Sequence, residues 1–396
     1  MKDSFDWIVV GAGITGAALA YELSCQGHAV LLIEKDSPLQ DATRYSYGGL
    51  AHWAGRTPLV QQVGAAGIAR YRQLEDELGQ SIQFREVDLV MPIPASADPQ
   101  QVAQSCQDMR IPPQLLSPQE AKDLEPLLDV SQLSGALLAR HGHIRPELTA
   151  AAFADAMVQR GGKLLIGIVS QLRPGSLQAG ARTYHAANIA VCAGAWGRSL
   201  LQAAGMPVPL YFTHAELIEV DPQHTAGIRM QTMVTPALLQ RMQLEQAATR
   251  PAQDPLWDQA AQAWGPAILD VGAVQFRDGS LRIGQISRTV SSMDPVVAPA
   301  ESEAQIRAGI AQWLPALQDL PGTWRHARVS FSADQLPLVG SLPGTNGRIH
   351  LFSGFSNPLA VVPVLAQRYA RFVSSAQPQD EIIDQLSLSR FQALAR

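Results

Sequence analysis

Three glycines near the N-terminus have the spacing of a phosphate-binding turn. Gly11, Gly13 and Gly16 form a Gly-x-Gly-x-x-Gly pattern, and Glu34 lies 18 residues after the last of them. The first glycine permits a sharp turn, the second lets a pyrophosphate approach the backbone, and the third lets a helix pack closely on a strand. A carboxylate at Glu34 would accept hydrogen bonds from ribose hydroxyls and would repel a 2′-phosphate, which disfavours NADP. The segment therefore predicts a dinucleotide site, without separating FAD from NAD.

The elements that must position this turn are a strand, a helix and a second strand. Residues 5–10 are an apolar run of strand length, residues 14–26 carry Ala, Leu and Tyr at helical spacing, and Gly27 is placed to end that helix. Residues 29–33 form a second apolar run, as expected of a strand buried on both faces. The free N–H groups and positive dipole at the start of the helix would then face the phosphates. A glycine-rich turn of an ordinary α/β domain is the alternative, but it does not explain the four coinciding features.

The rest of the chain alternates between helical and strand patterns. Helices are predicted at residues 64–79, 118–124, 146–160, 237–265, 301–314 and 360–373. Strands are predicted at residues 84–94 (as a pair), 163–168, 189–193, 211–220 and 349–352, with a hairpin over residues 273–286 that turns at Asp-Gly. Residues 98–129 are rich in Pro, Gln and Asp with little periodicity, so we expect a peripheral insertion there.

Composition narrows the class of protein. The 396 residues are 46% hydrophobic, enough for about two or three domains with large cores, and the net charge of −5 without a basic run argues against a nucleic-acid partner. The three cysteines are isolated, so neither a dithiol pair nor a zinc cluster is expected, and a reducing cytoplasm fits. Residues 7–20 are apolar, but three glycines interrupt them and they are shorter than the ~20 residues of a membrane span. We therefore expect a soluble cytoplasmic protein.

Five further segments, in chain order, resemble motifs of the FAD-dependent D-amino acid oxidase superfamily, which includes glycine oxidase, sarcosine oxidase and related amine dehydrogenases. The resemblance extends from Phe5 to about Val373. The matching segments are Thr43-Arg44-Tyr45-Ser46-Tyr47-Gly48-Gly49, His143-Ile144-Arg145-Pro146, Val191-Cys192-Ala193-Gly194-Ala195-Trp196, residues 332–340 (SADQLPLVG) and Gly354-Phe355-Ser356-Asn357-Pro358-Leu359.

The resemblance implies a dissociable FAD and a set of residues that hold it. The segment beginning at Thr43 would lie along the isoalloxazine, Val169 would contact adenine, and the segment before Pro358 would close on the flavin pyrimidine. A helix N-terminus aimed there would stabilise the negative charge of the reduced flavin without a charged side chain. The cofactor-binding residues implied are Gly11, Ala12, Gly13, Ile14, Thr15, Gly16, Glu34, Lys35, Thr43, Arg44, Ser46, Gly48, Gly49, Val169, Ala193, Gly194, Trp196, Gly354, Ser356, Asn357, Pro358 and Leu359.

The fold class implied is α/β, with a Rossmann-type FAD-binding domain and an inserted antiparallel α+β substrate domain. The FAD-binding domain is expected to combine residues 1–85, 140–210 and 325–396. The substrate, or cap, domain is expected to combine residues 86–139 and 211–324.

The chain departs from the family pattern at positions that matter for substrate. Pro358 follows Asn357 where the family usually has glycine. Glycine oxidases have arginines that bind the substrate carboxylate, and here Ser356 and Val329 occupy those positions. No cysteine lies near Ser330, where sarcosine oxidases attach flavin covalently, so non-covalent FAD is expected. These departures leave open whether an arginine binds the substrate.

Three residues are candidates for catalysis. Arg282 stands where sarcosine oxidases have a lysine that helps to activate oxygen, or it is a solvent-facing strand arginine. Arg44 contacts flavin or phosphate, or it caps a loop. His52 follows the second flavin loop and lines the substrate cleft, or it belongs to a packed aromatic stretch. His141 and His143 lack a third ligand nearby, so no metal is expected.

The predicted reaction is oxidation of the C–N bond of a small amine or amino acid to an imine, by hydride transfer to flavin N5. The cofactor carries this chemistry, so little side-chain acid–base catalysis is needed. Oxygen or another electron acceptor would reoxidise the flavin. Two alternatives stay open: a dehydrogenase of a hydroxy acid or alcohol on the same scaffold, and a flavin-binding module without turnover.

Overall fold

The computed structural model describes residues 4–237, 240–260 and 262–392, which form two β-sheets flanked by helices. The strands are β1 (Ser4–Val10), β2 (Val30–Glu34), β3 (Gly49–Leu50), β4 (Arg85–Pro94), β5 (Gln114–Leu116), β6 (Leu133–His143), β7 (Lys163–Ile166), β8 (Val169–Arg173), β9 (Ser176–Ala179), β10 (Arg182–Val191), β11 (Leu210–Val220), β12 (Met233–Val234), β13 (Ile268–Gln275), β14 (Leu281–Arg288), β15 (Thr323–Ser332), β16 (Leu338–Ser341) and β17 (Ile349–Ser353).

Helices cover both sheets. The α-helices are α1 (Ile14–Cys25), α2 (Ala42–Tyr45), α3 (Pro58–Leu78), α4 (Pro99–Gln104), α5 (Pro118–Leu124), α6 (Pro146–Gln159), α7 (Trp196–Ala203), α8 (Arg241–Ala248), α9 (Pro299–Ile310), α10 (Pro358–Ser374), α11 (Glu381–Leu386) and α12 (Ser389–Gln392). Short 3₁₀ helices occur at Pro222–His224, Asp254–Asp258 and Pro315–Leu317.

The first sheet is the nucleotide-binding sheet that the N-terminal pattern predicts. Its path is β16-β17-β10-β1-β2-β7, and the pairs β17·β10, β10·β1, β1·β2 and β2·β7 are parallel. Strands buried on both faces are apolar throughout, and Val30–Glu34 is buried at every position. Helices α1, α6 and α10 share one hydrophobic cluster with this sheet. The α/β fold class is therefore confirmed.

The second sheet is antiparallel apart from one short pair. Its path is β15-β11-β14-β13-β12-β4-β6-β3, and only β12·β4 is parallel among these neighbours. Helix α9 packs on one face of it in a cluster that includes Ile218, Ile283 and Ile306. The other face is directed toward the cavity described below, because Ala215 and Leu217 of β11 line that cavity.

The extents of several elements differ from the sequence prediction. Helix α3 begins at Pro58 rather than residue 64, because Thr57 caps it by accepting a hydrogen bond from the Val60 N–H and proline is favoured in the first turn. Residues 84–94 form one long strand instead of a pair. The helix predicted over 237–265 is reduced to α8 and a 3₁₀ turn, and residues 238, 239 and 261 of that range lie outside the described residues.

The proposed domain boundary near residue 325 does not follow sheet membership. Strand β15 pairs with β11 over ten residues, from Leu210↔Ser332 to Glu219↔Thr323. Its residues 325–332 therefore belong to the antiparallel sheet, although the sequence assigned them to the FAD-binding domain. The division into two domains otherwise remains a prediction. Among the helices that the structure describes, none is both long and apolar enough to cross a bilayer.

Candidate active site

A cavity of about 1330 Å³ has walls from both sheets. Typical pockets for drug-sized ligands measure roughly 300–1,000 Å³, so this space is larger than one small substrate requires. Its wall includes the glycine-rich turn at one side and strands of the antiparallel sheet at another. The cavity therefore has room for a dinucleotide together with a substrate.

The glycine-rich turn has the geometry that its sequence predicts. Gly11 has φ +100°, and a Cβ there would lie 2.7 Å from the Cys192 carbonyl oxygen. A Cβ on Gly16 would lie 1.8 Å from the Gly11 carbonyl oxygen, so α1 packs directly on the turn. A Cβ on Gly13 would meet only the Thr43 side chain within 3.9 Å, on the wall of the cavity. Backbone approach to the cavity therefore depends on these three glycines.

Glu34 stands at the end of β2 beside this turn. One carboxylate oxygen accepts a hydrogen bond from the Ala12 N–H at 2.7 Å, and the other accepts from the Asp36 N–H at 3.0 Å. A carboxylate has about four lone-pair positions, so both oxygens retain capacity for ribose hydroxyls. Glu34 also lines the cavity. Glu34, which the sequence predicts as the ribose-binding residue, is thus held in place beside the phosphate-binding turn.

The second predicted flavin loop meets the start of α1. The Thr43 hydroxyl accepts a hydrogen bond from the Ile14 N–H at 3.0 Å, which joins two motifs 29 residues apart. The Lys35 ammonium is 5.4 Å from the ring centre of Trp196.

Most of the predicted cofactor residues lie on the cavity wall. They are Gly11, Gly13, Ile14, Thr15, Glu34, Lys35, Thr43, Ser46, Gly49, Val169, Ala193, Gly194, Trp196, Ser356, Asn357, Pro358 and Leu359.

Five predicted cofactor residues are absent from the wall: Arg44, which is described below, and four that lie directly behind the wall. Ala12 donates its N–H to Glu34, and Gly16 packs against Gly11. Gly48 accepts a hydrogen bond from the Ile144 N–H, and a Cβ on it would lie 2.1 Å from the Ile144 carbonyl oxygen. Gly354 has φ +72° immediately before the loop that leads into α10. We expect these four to shape the backbone of the wall.

The N-terminus of α10 faces the cavity. Pro358 is the first helical residue, no side chain caps the first turn, and residues 356–359 all line the wall. The Ser356 hydroxyl donates to the Gln335 carbonyl at 3.0 Å, and the Asn357 amide donates to the Ala51 carbonyl at 3.4 Å. The helix therefore directs its positive end at the cavity, where an anionic group would be stabilised.

These features together fit FAD. The glycine turn leaves a cradle that a side chain would fill, Glu34 stands at the ribose position, and a second helix N-terminus lies on the same cavity. The residues that would hold the diphosphate are those of the Gly11–Gly16 turn, with Thr43 beside them.

The antiparallel sheet contributes the roof of the cavity, which we define as its residues on the cavity wall. They are Ala327, Arg328, Val329 and Ser330 of β15, Ala215 and Leu217 of β11, Gln285 of β14, Met233 of β12, Leu89 and Met91 of β4, Leu137 and His141 of β6, and Gly49 of β3. The side chains of β11 alternate, so His214 and Glu216 point away from the cavity. Among the described residues the roof has no carboxylate, and its one cation, Arg328, is paired with Asp41 and Asp294.

Arg44, predicted to contact flavin or phosphate, and Arg282, predicted as a cation near the flavin, are both absent from the cavity wall. Arg44 Nη1 lies 2.7 Å from a Glu219 carboxylate oxygen. Arg282 is 1% exposed, lies 3.0 Å from a Glu147 carboxylate oxygen, and donates to the Ser46 carbonyl of the second flavin loop. Burial of two guanidinium groups requires compensating carboxylates, and these ion pairs draw both side chains away from the cavity. They tie the flavin loop to the antiparallel sheet.

His52 is likewise absent from the cavity wall, where the sequence predicts it. Arg110 donates to His52 Nδ1 and to its carbonyl oxygen, both at 3.0 Å. Burial, together with the nearby positive charge of Arg110, lowers the pKa of His52 to about 4. The neutral imidazole thus serves to anchor the segment that contains Arg110.

His141 is a histidine that does line the cavity, although the sequence suggested it only as half of a metal pair that was not expected to bind metal. The Trp53 indole donates to His141 Nδ1 at 3.0 Å, so the proton of the neutral ring resides on Nε2. Burial lowers the pKa of His141 to about 3. His141 therefore presents a neutral N–H donor in a fixed tautomer. Among the described residues, no group of three or more His, Cys, Asp or Glu could hold a metal ion.

Four cationic side chains line the cavity, and three have carboxylate partners. Lys35 pairs with Asp36, Arg56 with Asp108, and Arg328 with Asp41 and Asp294. Arg241, in the first turn of α8, has no carboxylate within 4.0 Å among the described residues.

Tyr47 offers a second polar group on the same wall. Its hydroxyl is buried and has no hydrogen-bond partner among the described residues. Burial raises the pKa of Tyr47, partly opposed by the charges of Arg282 and Arg241, so the hydroxyl stays a neutral donor. Tyr47 was predicted only as part of the second flavin loop. Arg241 lies in a Gln- and Ala-rich stretch without a motif, so no sequence signal identified it.

The segment that the sequence interpreted as peripheral also reaches the cavity. Ser105, Cys106, Met109 and Pro113 line the wall, and Ile111 donates its N–H to the Trp53 carbonyl at 3.2 Å. The backbone of this segment is irregular, so its sequence shows little periodicity. For that reason the sequence did not indicate that these residues contribute to the cavity wall.

Comparisons with known proteins agree with this site. A family model described as DAO, FAD dependent oxidoreductase, matches residues 6–371. The chain is 29% identical over 227 residues to 4-methylaminobutanoate oxidase (formaldehyde-forming) of Paenarthrobacter nicotinovorans, which covers 54% of this chain and 28% of that protein. It is 23% identical over 389 residues to monomeric sarcosine oxidase of Streptomyces avermitilis, covering 93% of each chain. The matched regions span less than half the length of the first curated relatives.

The fold has close counterparts among solved structures. The crystal structure of glycine oxidase from Geobacillus kaustophilus superposes with a TM-score of 0.78 at 21% identity, covering 98% of this chain and 99% of that one. At this identity the likeness establishes the fold alone. The chain belongs to the DAO family because the family model covers nearly its whole length, and it is an FAD-dependent oxidoreductase.

Proposed function

We propose that this protein oxidises the C–N bond of a small amine or amino acid to an imine, which water then hydrolyses to a carbonyl compound and an amine or ammonia. The substrate carbon gives up a hydride and the nitrogen gives up a proton. A bound FAD would supply the hydride acceptor at N5, and oxygen or another acceptor would be the final oxidant for both electrons. The observation that carries the proposal is the cavity that joins the glycine turn to a roof in which, among the described residues, there is no carboxylate and the one cation, Arg328, is already paired.

The roof suits an amine for an electrostatic reason. A hydride leaves the carbon readily only when the nitrogen lone pair is free, so the ammonium form must first lose its proton. Burial beneath a roof that has no carboxylate lowers the pKa of an amine, because desolvation disfavours the charged form and no opposite charge of the roof compensates for it. The same cause acts on His141, whose pKa falls to about 3. The chain therefore favours the neutral amine without needing a carboxylate base in the roof.

Arg241 would determine whether an acid group is accepted. It stands on the cavity wall without a carboxylate partner among the described residues, and Tyr47 provides a neutral donor on the same wall. A guanidinium binds a carboxylate through charge-assisted hydrogen bonds. Arg241 would then take the role of the two arginines that glycine oxidases have at the positions of Ser356 and Val329. The names of the relatives described above, oxidases of methylaminobutanoate, sarcosine and glycine, support an amino-acid substrate.

Anaerobic flavin reduction tests the proposal. The purified FAD-loaded protein is mixed without oxygen with primary amines, N-methyl amines, amino acids, alcohols and hydroxy acids, and the visible flavin band is followed. Bleaching by at least one amine or amino acid, with the imine or carbonyl product detected, is the expected result. Bleaching only by alcohols or hydroxy acids would favour the alternative dehydrogenase. If no compound of any class bleaches the flavin, while dithionite does, the proposal fails.

A further inference from the structure

We infer that the substrate amine carries an uncharged apolar substituent, and that an apolar section of the cavity wall binds it. This apolar section comprises Trp53, Leu89, Met91, Cys106, Met109 and Leu137. The inference rests on the proposed function and specifies its substrate further. Neither the family model nor the names of the relatives assign these residues a role.

The six residues come from four separate stretches that the fold brings together. Met91 of β4 is paired directly with Leu137 of β6, and Leu89 is two residues from Met91, so the three share one face of the sheet. Cys106 and Met109 approach from the loop after α4, and Trp53 follows β3. All six belong to one hydrophobic cluster, separate from the clusters that pack on the nucleotide-binding sheet.

The two arginines that lie close in sequence to this section already have partners among the described residues. Arg56 pairs with Asp108, and its side chain is 46% exposed. Arg110 is engaged by His52. His141 adjoins the section through Trp53, and it contributes an N–H donor without charge. Among the described residues, therefore, the section offers apolar contacts and one neutral donor, which is the composition of a pocket for an apolar group with a defined orientation.

The energetic consequence is a dependence on chain length. Each methylene moved from water to an apolar wall gains about 0.8 kcal/mol, which corresponds to about a fourfold increase in binding. A charged group of the same length would lose its hydration without finding a partner in the section. Substrates that extend into the section should therefore bind more tightly as their chains lengthen, until the section is filled. A terminal charge should cancel this gain in binding.

The experiment measures anaerobic flavin reduction with a homologous series of straight-chain amines, from ethylamine to hexylamine. The second-order rate constant of reduction should rise about fourfold per methylene. Amines of equal length that end in a carboxylate or ammonium group should lose most of this gain. Met109 is half-buried, so Met109→Glu places a charge on the section with little core disruption and should flatten the dependence on length.

Two further variants make the result interpretable. Val296→Glu introduces the same charge at a fully exposed valine away from the wall, and it should keep the wild-type dependence. Met109→Gln has nearly the same length without charge, and it should reduce the gain per methylene partially even if the glutamate variant does not fold. Flavin content and circular dichroism establish that each protein is loaded and folded.

The outcomes separate this inference from the proposed function. If amines bleach the flavin but the rate constant is independent of length, the inference is overturned and amine oxidation stands. If Met109→Glu shifts the flavin spectrum or releases FAD without altering the length dependence, the section holds the flavin ring, and the inference is again overturned. If no amine bleaches the flavin at all, amine oxidation itself fails.

Discussion

At the scale of single residues, Gly16 couples the first helix to the phosphate-binding turn. Gly16→Ala would place a methyl group 1.8 Å from the Gly11 carbonyl oxygen and 3.0 Å from Cys192 Cβ. Overpacking against backbone typically costs about 1–3 kcal/mol or more. We expect the variant to lose at least about that much stability and to be purified largely without FAD, as measured by flavin absorbance per protein.

A matched glycine substitution controls for general destabilisation. Gly79 ends α3 with φ +64°, and a Cβ there would meet no atom within 4 Å. Gly79→Ala should cost about 1 kcal/mol through backbone strain alone and should retain its FAD. If both variants keep full flavin content, the turn is not where the diphosphate binds.

Arg241 is the residue that should decide between acids and neutral amines. Removing a charged hydrogen-bond donor to a carboxylate costs about 1.5–3 kcal/mol, which corresponds to roughly 10- to 150-fold in affinity. Arg241→Met should therefore lower the preference for an amino acid over the amine that lacks its carboxylate by about this factor. Anaerobic reduction with each pair of compounds gives the ratio. Arg241→Lys should recover part of it, and an unchanged ratio in Arg241→Met would contradict the assignment.

At the scale of elements, the N-terminus of α10 supplies positive potential to the cavity without a charged side chain. Asn357→Asp would introduce a negative charge at the helix cap and oppose the negative charge of the reduced flavin. A charge at a helix end is worth about 0.5–2 kcal/mol, so the two-electron midpoint potential should fall by about 10–40 mV. Redox titration of the loaded protein measures the shift.

Asn346→Asp is the matched control for this element. Asn346 is exposed in the turn before β17 and is absent from the cavity wall, so the same chemical change should leave the potential unaltered. Equal shifts in both variants would indicate a general charge effect rather than an effect of the helix end.

At the scale of the whole molecule, buried histidines make stability depend on pH. Burial lowers the pKa of His52, His214 and His350 to about 4 and that of His141 to about 3. The unfolded chain protonates these histidines near their ordinary pKa of about 6.5. Between pH 6.5 and 4 the unfolded state therefore binds more protons, and stability falls as the pH falls; above pH 6.5 the contribution is complete.

Thermal unfolding at a series of pH values measures this dependence. Each buried histidine contributes up to about 1.4 kcal/mol per pH unit in that window. The melting temperature should decline steadily below pH 6.5, and His141→Gln should make the decline less steep by removing one titrating group. A melting temperature that stays constant from pH 7 to pH 4.5 would contradict the burial of these side chains in the neutral form.

The sequence by itself determined the nucleotide-binding half of the site. The turn Gly11–Gly16, the flanking strands and Glu34 are adjacent in the chain, and their roles follow from local backbone geometry. Helix α10 was predicted within two residues of its start for the same reason, because periodicity and the preceding turn are local signals. The confirmation of the fold and of FAD rests on these features.

Tertiary structure decided which side chains face the cavity. The sequence motifs placed three side chains near the cavity that the fold directs elsewhere. Arg44 pairs with Glu219, and Arg282 pairs with Glu147. His52 is held by Arg110. Met109 and the other residues of the apolar section come from stretches far apart in the chain, joined only by strand pairing and loop packing. Such contacts depend on how charges are compensated and surfaces buried across the whole fold, which spacing along the chain does not encode.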